Sequence, residues 1–428
     1  MLKRFPSPLP GVSWKKCIFL GLMMAFITGS FGIIQPYTNP YLLAAGLSKW
    51  EINLVSGIAL LSGMVVQPLI GRLSDTWDAR KPLILGAAIV AAIAHSLFPI
   101  SNSFTILLIL SIFGTNGFTY LNTVSGVIIG RIAGPARSGG AYTRFRVLGS
   151  ITYIIVAVVC GKLLPNRGTL TALDLQPIFI IGPIIYIAIG LLSTRIPDPK
   201  KGTIVHDLVT SDDALEKTSK VQNSQPMPKL IPPFLLAFAF YQGALYGVSA
   251  NLPIYLTEVL HAKPSDLGVF FAFGVVTEVL VMFQVGKFTD RTGRRPALLL
   301  AFCLLPLRLI AYNYAPTPLW AAVVQSLHGL NFGIVGAIAI AYINDCSDES
   351  KRGSEQARLA VTAGISTALS MWLCGWMMQN YGFPAMFFTM SGVASIGGLI
   401  LFLFVDESHP SFRHRKAILS RRLDHDAG

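Results

Sequence analysis

Gly286-Lys287-Phe288-Thr289-Asp290-Arg291-Thr292-Gly293-Arg294-Arg295 is the stretch that decides the reading of this chain, and it has a forerunner in Gly71-Arg72-Leu73-Ser74-Asp75, trailed by Arg80-Lys81-Pro82. Each copy stands where a long apolar run ends and the next begins. The repeated Gly-x-x-x-Asp with trailing cations predicts two similar halves, each organised about the same helix-to-helix turn. Paired membrane halves are a natural way to make a pathway for a solute.

Composition agrees with this. Hydrophobic residues make up 53% of the 428 and charged residues only 13%, about half the roughly 25% of soluble domains. Apolar runs of about 20 residues recur along the chain, each long enough to cross roughly 30 Å of hydrocarbon as a helix. Twelve spans are predicted, at residues 17–37, 50–71, 82–101, 104–130, 141–164, 176–195, 230–257, 264–286, 296–314, 317–345, 355–378 and 384–405. The first continues past Gln35 with no small-residue cleavage site, so no cleaved leader is expected. Cys17, Cys160, Cys303, Cys346 and Cys374 are scattered, with neither a metal spacing nor a disulfide framework. No metal or other cofactor is expected.

The net charge of +13 orients the chain. Apart from Lys49, Lys162, Arg167, Lys263 and the deeply placed Arg308, all 34 Lys and Arg residues fall on one face. That face is then cytoplasmic and carries both termini. The expected location is the cell (inner) membrane, crossed many times. The cations are not interleaved with aromatics as a nucleic-acid surface requires. Residues 197–229, rich in Asp, Lys, Ser and Pro, lose the apolar pattern and read as a cytoplasmic linker. The expected division is therefore an N-terminal six-helix bundle (1–196), the linker (197–229), a C-terminal six-helix bundle (230–406) and a basic tail (407–428).

Both repeated turns, the twelve spans and the mid-chain linker resemble the major facilitator superfamily over residues 15–405. The second copy matches that family's signature at Gly286, Asp290, Arg291, Gly293, Arg294 and Arg295. The first departs from it, with Thr76 and Asp78 where Arg and Gly are usual. The resemblance implies an all-α integral membrane fold of two pseudo-symmetric six-helix bundles, a transporter rather than an enzyme. It also implies a conformational gate at Gly71, Asp75, Arg80 and Lys81 and at the six matching residues of the second copy. In physical terms the Gly would let a neighbouring helix approach, and the Asp would accept bonds from basic groups or a helix start.

Ionisable groups inside the bilayer are costly and mark function by default. Three stand out: Glu278 in span eight, Arg308 in span nine and His328 in span ten. A carboxylate, a guanidinium and an imidazole at similar depth can form a proton-coupling set. Glu278 and Arg308 can equally form a static pair, and His328 can be a packing residue. The trio is similar to the intramembrane set of proton symporters of the lactose permease branch and of its nucleoside and phenylpropionate relatives. That resemblance implies substrate binding by Arg146 and ring stacking by Tyr153, which stands where those symporters have Trp. The acid that follows the His in lactose permease is Asn331 here, so proton transfer would fall to Glu278. Amides and phenols that could line a cavity for neutral hydroxylated solutes are Gln35, Asn39, Asn122, Tyr241, Gln242, Asn251 and Asn331. They equally suit bonds between helices.

The function expected is secondary active transport of a small polar organic solute by alternating access. Substrate would meet Arg146, Tyr153, Asn122, Gln35, Gln242, His328 and Asn331. Proton-coupled uptake is the first reading, and an uncoupled facilitator or an efflux antiporter of the same fold is the alternative. The partners expected are the solute, protons and the lipid bilayer, with the chain acting as a monomer.

Overall fold

In hydrocarbon a chain satisfies its own N–H and C=O groups by forming helices, and the computed structural model is almost wholly helical over the residues it describes: 13–77, 80–133, 138–165, 170–195, 227–409 and 412. The helices are α1 (Trp14–Ala44), α2 (Lys49–Trp77), α3 (Arg80–Ser96), α4 (Phe104–Ala133), α5 (Ser138–Leu163), α6 (Ala172–Leu175), α7 (Ile178–Ser193), α8 (Ile231–Glu258), α9 (Pro264–Thr292), α10 (Arg294–Tyr312), α11 (Pro318–Gln325), α12 (Leu327–Cys346) and α13 (Arg352–Phe404). Among the described residues 11 helical stretches are long and apolar enough to cross a membrane. The last of them turns at Gly382, whose φ of 83° is left-handed, so it supplies two crossings and brings the number to twelve. All twelve predicted spans are thus present.

The helices outrun the predicted spans at one point that matters. Gly71–Asp75 lies in the final turns of α2, and Gly286–Asp290 in the final turns of α9. Neither Gly-x-x-x-Asp is itself the turn. The reversal between α9 and α10 is made at Gly293, whose φ is 92°. Most of the predicted linker and tail (196–226, 410–411 and 413–428) lies outside the described residues.

Two compact units are distinguished. The first holds the described residues up to 195 together with Ala250–Ala272 and Pro316–Ala322. In it α1 lies against α5 and α7, α3 against α4 and α7, and α2 against α4. Its core includes Leu20, Met23, Ile27, Leu121, Phe145 and Tyr186. The α1–α5 crossing is close: a Cβ on Gly32 would lie 2.9 Å from the carbonyl of Tyr153, so small residues set the helix separation.

The second unit holds residues 227–249, Phe273–Ala315 and the described residues from Val323 onward. Here α10 packs on α12 and α13. Long apolar side chains remain strongly exposed on both units, Leu163, Ile180, Leu307 and Phe404 among them. That is the surface a lipid-facing helix presents.

Candidate functional site

The polar centre of the second unit is built around Arg308 of α10, which is 1% exposed. One turn on, the hydroxyl of Tyr312 accepts from Arg308 Nε at 3.1 Å. Gln325 Oε1 accepts from Nη2 at 2.7 Å and also from the Tyr312 hydroxyl at 2.5 Å. Nη1 faces His328 Nδ1 at 3.3 Å and Asn331 Oδ1 at 3.5 Å. A guanidinium only donates, so Nδ1 is the acceptor and His328 carries its hydrogen on Nε2.

A local break brings these residues together. Between α11 and α12 the Ser326 N–H bonds Val323 and the Gly329 N–H bonds Ser326, both three residues back. In this tightened turn the Ser326 carbonyl, already bonded by the Gly329 N–H, also accepts from Thr277 Oγ1 of α9 at 2.7 Å. Close by, a Cβ on Gly329 would run into the backbone of Thr277 and Glu278. Backbone contact between α9 and α12 therefore holds Glu278, 6% exposed, beside the start of α12. Arg308 itself bonds four neutral groups, those of Tyr312, Gln325, His328 and Asn331.

Three predicted lining residues prove to be ties. Asn331 is 0% exposed; its Nδ2 donates to Ala301 at 2.8 Å, and its Oδ1 faces Arg308. Asn331 thus ties α12 to α10. Tyr241 donates to the Asn331 carbonyl at 3.0 Å and stacks on Phe302. Asn39 donates to Ala250 at 2.6 Å.

A cavity of about 310 Å³ opens between α8, α12 and α13. Phe238, Gln242 and Tyr246 line it from α8, Phe332 from α12 and Gln356 from α13; none of its lining residues is an acid, a His, a Lys or an Arg. His328 stands behind its wall, stacked on Phe332 at 5.5 Å. Tyr246 meets the same Phe332 edge-on. Of the predicted substrate residues in this unit, only Gln242 lines the cavity.

In the first unit, Tyr153 donates to Gln35 Oε1 at 2.8 Å, joining two predicted residues. Its ring lies 6.2 Å from Phe31, which stacks on Phe118 at 5.0 Å. Asn122 stands one turn after Phe118 on α4. Arg146 stands two turns before Tyr153 on α5, so both project near that face of α5; Asn122 and Arg146 are half-buried.

The second signature copy forms a network. Gly293 offers no side-chain cap to α10, and the Glu407 carboxylate takes that place by accepting from the Arg294 and Arg295 N–H groups at 2.8 and 3.0 Å. Arg294 pairs with Asp345 at 3.3 Å and donates to Thr289 at 2.8 Å. Arg295 donates to the Phe402 carbonyl at 2.6 Å. Asp290 lies 3.8 Å from His409. Arg291 is exposed in the last turn of α9. In the first copy Lys81 reaches the Thr194 carbonyl at 3.4 Å, while the side chains of Asp75 and Arg80 lie outside the described residues. A Cβ on Gly71 or Gly286 would meet nothing within 4 Å among the described residues.

Residues 18–390 match the MFS_1 like family. The chain belongs to the major facilitator superfamily. It is 24% identical over 390 residues to an uncharacterized MFS-type transporter of Mycobacterium tuberculosis, covering 88% of this chain and 89% of that one. It is 23% identical over 401 residues to the maltose permease of Geobacillus stearothermophilus (92% and 95%). It is 22% identical over 395 residues to the sugar efflux transporter C of Escherichia coli (90% and 95%). In fold it is similar to the nucleoside transporter NupG, with a TM-score of 0.71 at 13% identity, over 91% of this chain and 98% of that one. This major facilitator protein is thus an integral, multi-pass membrane transporter, not an enzyme.

Sequence reasoning missed Phe238, Tyr246, Phe332 and Gln356 of the cavity, and Tyr312 and Gln325 beside Arg308. A signal existed for four of them. Tyr246 follows Gln242, Phe332 follows His328 and Tyr312 follows Arg308 by one turn, and Gln325 precedes His328 by one. Each lies on the same helix face as a residue already singled out.

Proposed function

We propose that this facilitator protein is a secondary carrier for a small uncharged organic solute with an apolar face. The observation that carries the reading is the cavity of about 310 Å³, walled by the rings of Phe238, Tyr246 and Phe332, with the Gln242 amide among them and no charged side chain. Rings suit the flat faces of sugars or nucleosides, and amides pair with their hydroxyl or carbonyl groups. Tyr153 and Gln35, with Arg146 and Asn122 nearby on their helices, are the substrate-facing candidates of the first unit. The similarities to a maltose permease and a nucleoside transporter support this class of solute.

Transport proceeds by alternating access between six-helix bundles 1–196 and 230–406, in a monomer with both termini in the cytoplasm. Glu278 carries a coupling proton. A ligand on Phe332 presses on the ring of His328 behind it and so reaches Arg308. In vesicles under a pH gradient, Glu278→Gln exchanges solute but does not accumulate it, and Phe332→Ala loses binding in a ligand-dependent thermal shift. Undiminished accumulation removes Glu278 from coupling, and an unchanged shift moves the site away from the cavity. A second reading, uncoupled or outward transport, is favoured by one observation: four neutral groups bond the Arg308 guanidinium. It is also supported by the similarity to a sugar efflux transporter. Solute flux indifferent to the pH gradient selects uncoupled transport, and flux driven outward selects efflux.

A further inference from the structure

Residues 250–272, the end of α8 and the start of α9, pack within the first unit on α1, α2 and α5. The bonds that follow involve none of the residues proposed to meet substrate or carry the proton. Asn53 of α2 is 1% exposed and Asn251 of α8 is 0% exposed. Each side-chain amide donates to the other's Oδ1, both at 2.8 Å. Asn53 Nδ2 also donates to the Lys49 carbonyl at 2.8 Å. Around the pair, Asn39 bonds Ala250, and Tyr37 Oη lies 3.2 Å from the carbonyls of both Ala157 and Pro264. Lys49 and Glu258 form a 2.7 Å ion pair at the rim, their side chains 23% and 35% exposed. Gly268 is set so close to α5 that a Cβ there would strike the Ala157 carbonyl.

A reciprocal amide pair behaves differently in dry and wet surroundings. Parted in hydrocarbon, it leaves two donors and two acceptors without partners, a large penalty. Parted by entering water, it exchanges the same bonds for solvent at little net cost. It therefore favours a closed, dry interface and does not oppose an open, hydrated one. Being uncharged, it holds equally across the pH range in which a carrier's proton moves.

We propose that Asn53 and Asn251 are the latch of the transport cycle on the face of the 44–49 and 258–264 connections, and that they part each time the pathway opens there. The proposal rests on the carrier reading above but names residues outside the solute site. Ionisable groups on the elements packed around the pair include Lys49 and Glu51 on α2, Tyr37 and Tyr41 on α1, Tyr153, Cys160 and Lys162 on α5, Tyr255 on α8, and Glu258, His261, Lys263 and Asp266 on the 258–266 segment. A wild-type control carries whatever these contribute.

The test uses the full chain in right-side-out vesicles with Cys303, exposed to the surroundings, changed to Ala. Cys160, 3% exposed on α5 beside this packing, reports opening through its rate of labelling by a membrane-impermeant maleimide. Rates are expressed relative to the wild type at each pH. Asn53→Ala should label about tenfold faster at both pH values, the loss of about one net hydrogen bond. Asn53→Asp should match the wild type near about pH 5.5 and label about tenfold faster near about pH 8, because a protonated carboxyl restores both bonds to Asn251 whereas a carboxylate sets oxygen against oxygen. Asn251→Asp must reproduce the pattern and serves if the first variant does not fold. A ratio of one for Asn53→Ala, or the same Asp ratio at both pH values, overturns the latch. Transport is not measured, so a wrong solute assignment leaves this result readable, and a failed latch leaves that assignment standing.

Discussion

Glu407 shows how much one side chain can organise. A helix start leaves its first N–H groups unsatisfied, and Gly293, with its φ of 92°, provides the reversal into α10 but no oxygen. Glu407 supplies the oxygens and places a negative charge at the positive end of the helix. Glu407→Ala should lower the melting temperature in detergent, at a cost of about 1–2 kcal/mol, and Glu407→Gln by less because it keeps an acceptor. An unchanged melting curve for the Ala variant would show that the contact is incidental. Gly293→Ala should be worse, since its Cβ enters the Glu407 carboxylate at a backbone angle that suits glycine. None of this was legible in the sequence. The signature motif announces Arg294 and Arg295, but the acid that engages their backbone arrives 113 residues later in the chain. The buried trio was legible in part: Arg308 and His328 do meet, because a costly charge in an apolar helix must find partners. Its partners Gln325 and Tyr312 were not foreseen.

At the scale of elements, hydropathy and length located every span, because hydrocarbon admits little else than helix. The break at Ser326 was not legible. Its setting is tertiary: Thr277 of α9 is a second donor to the carbonyl that the Gly329 N–H of α12 already bonds. Gly329 makes that approach possible. Gly329→Val should push α12 off α9 and cost at least about 1–3 kcal/mol, read as a lower melting temperature. It should also disturb solute binding, because Glu278 and His328 both ride on this contact. Gly392→Ala, whose Cβ would enter open space, is the control and should melt with the wild type. Equal melting of both variants would remove the crossing from the account. The Asn53–Asn251 pair belongs here too. Asn251 was noticed as a polar residue in a span, and its role as a tie to α2 came from packing that no single helix encodes.

For the whole molecule, the charge asymmetry makes the sharpest statement. The span assignment predicts nearly all cations on one face, with Lys49 and Lys263 among the exceptions. Single cysteines at Lys263 and Lys351, in a Cys303→Ala background, should separate cleanly. An impermeant maleimide added outside intact cells should label the first and spare the second. The reverse pattern would invert the orientation and with it the direction assigned to the latch.

The capping carboxylate of Glu407 also sets an order of events. Synthesis runs from the N-terminus, so Arg294 and Arg295 are in place long before the last crossing has been made. Until the ribosome has passed residue 407, the start of α10 waits with bare amides. The signature corner of this transporter is therefore closed late, by a residue that follows the last described membrane segment.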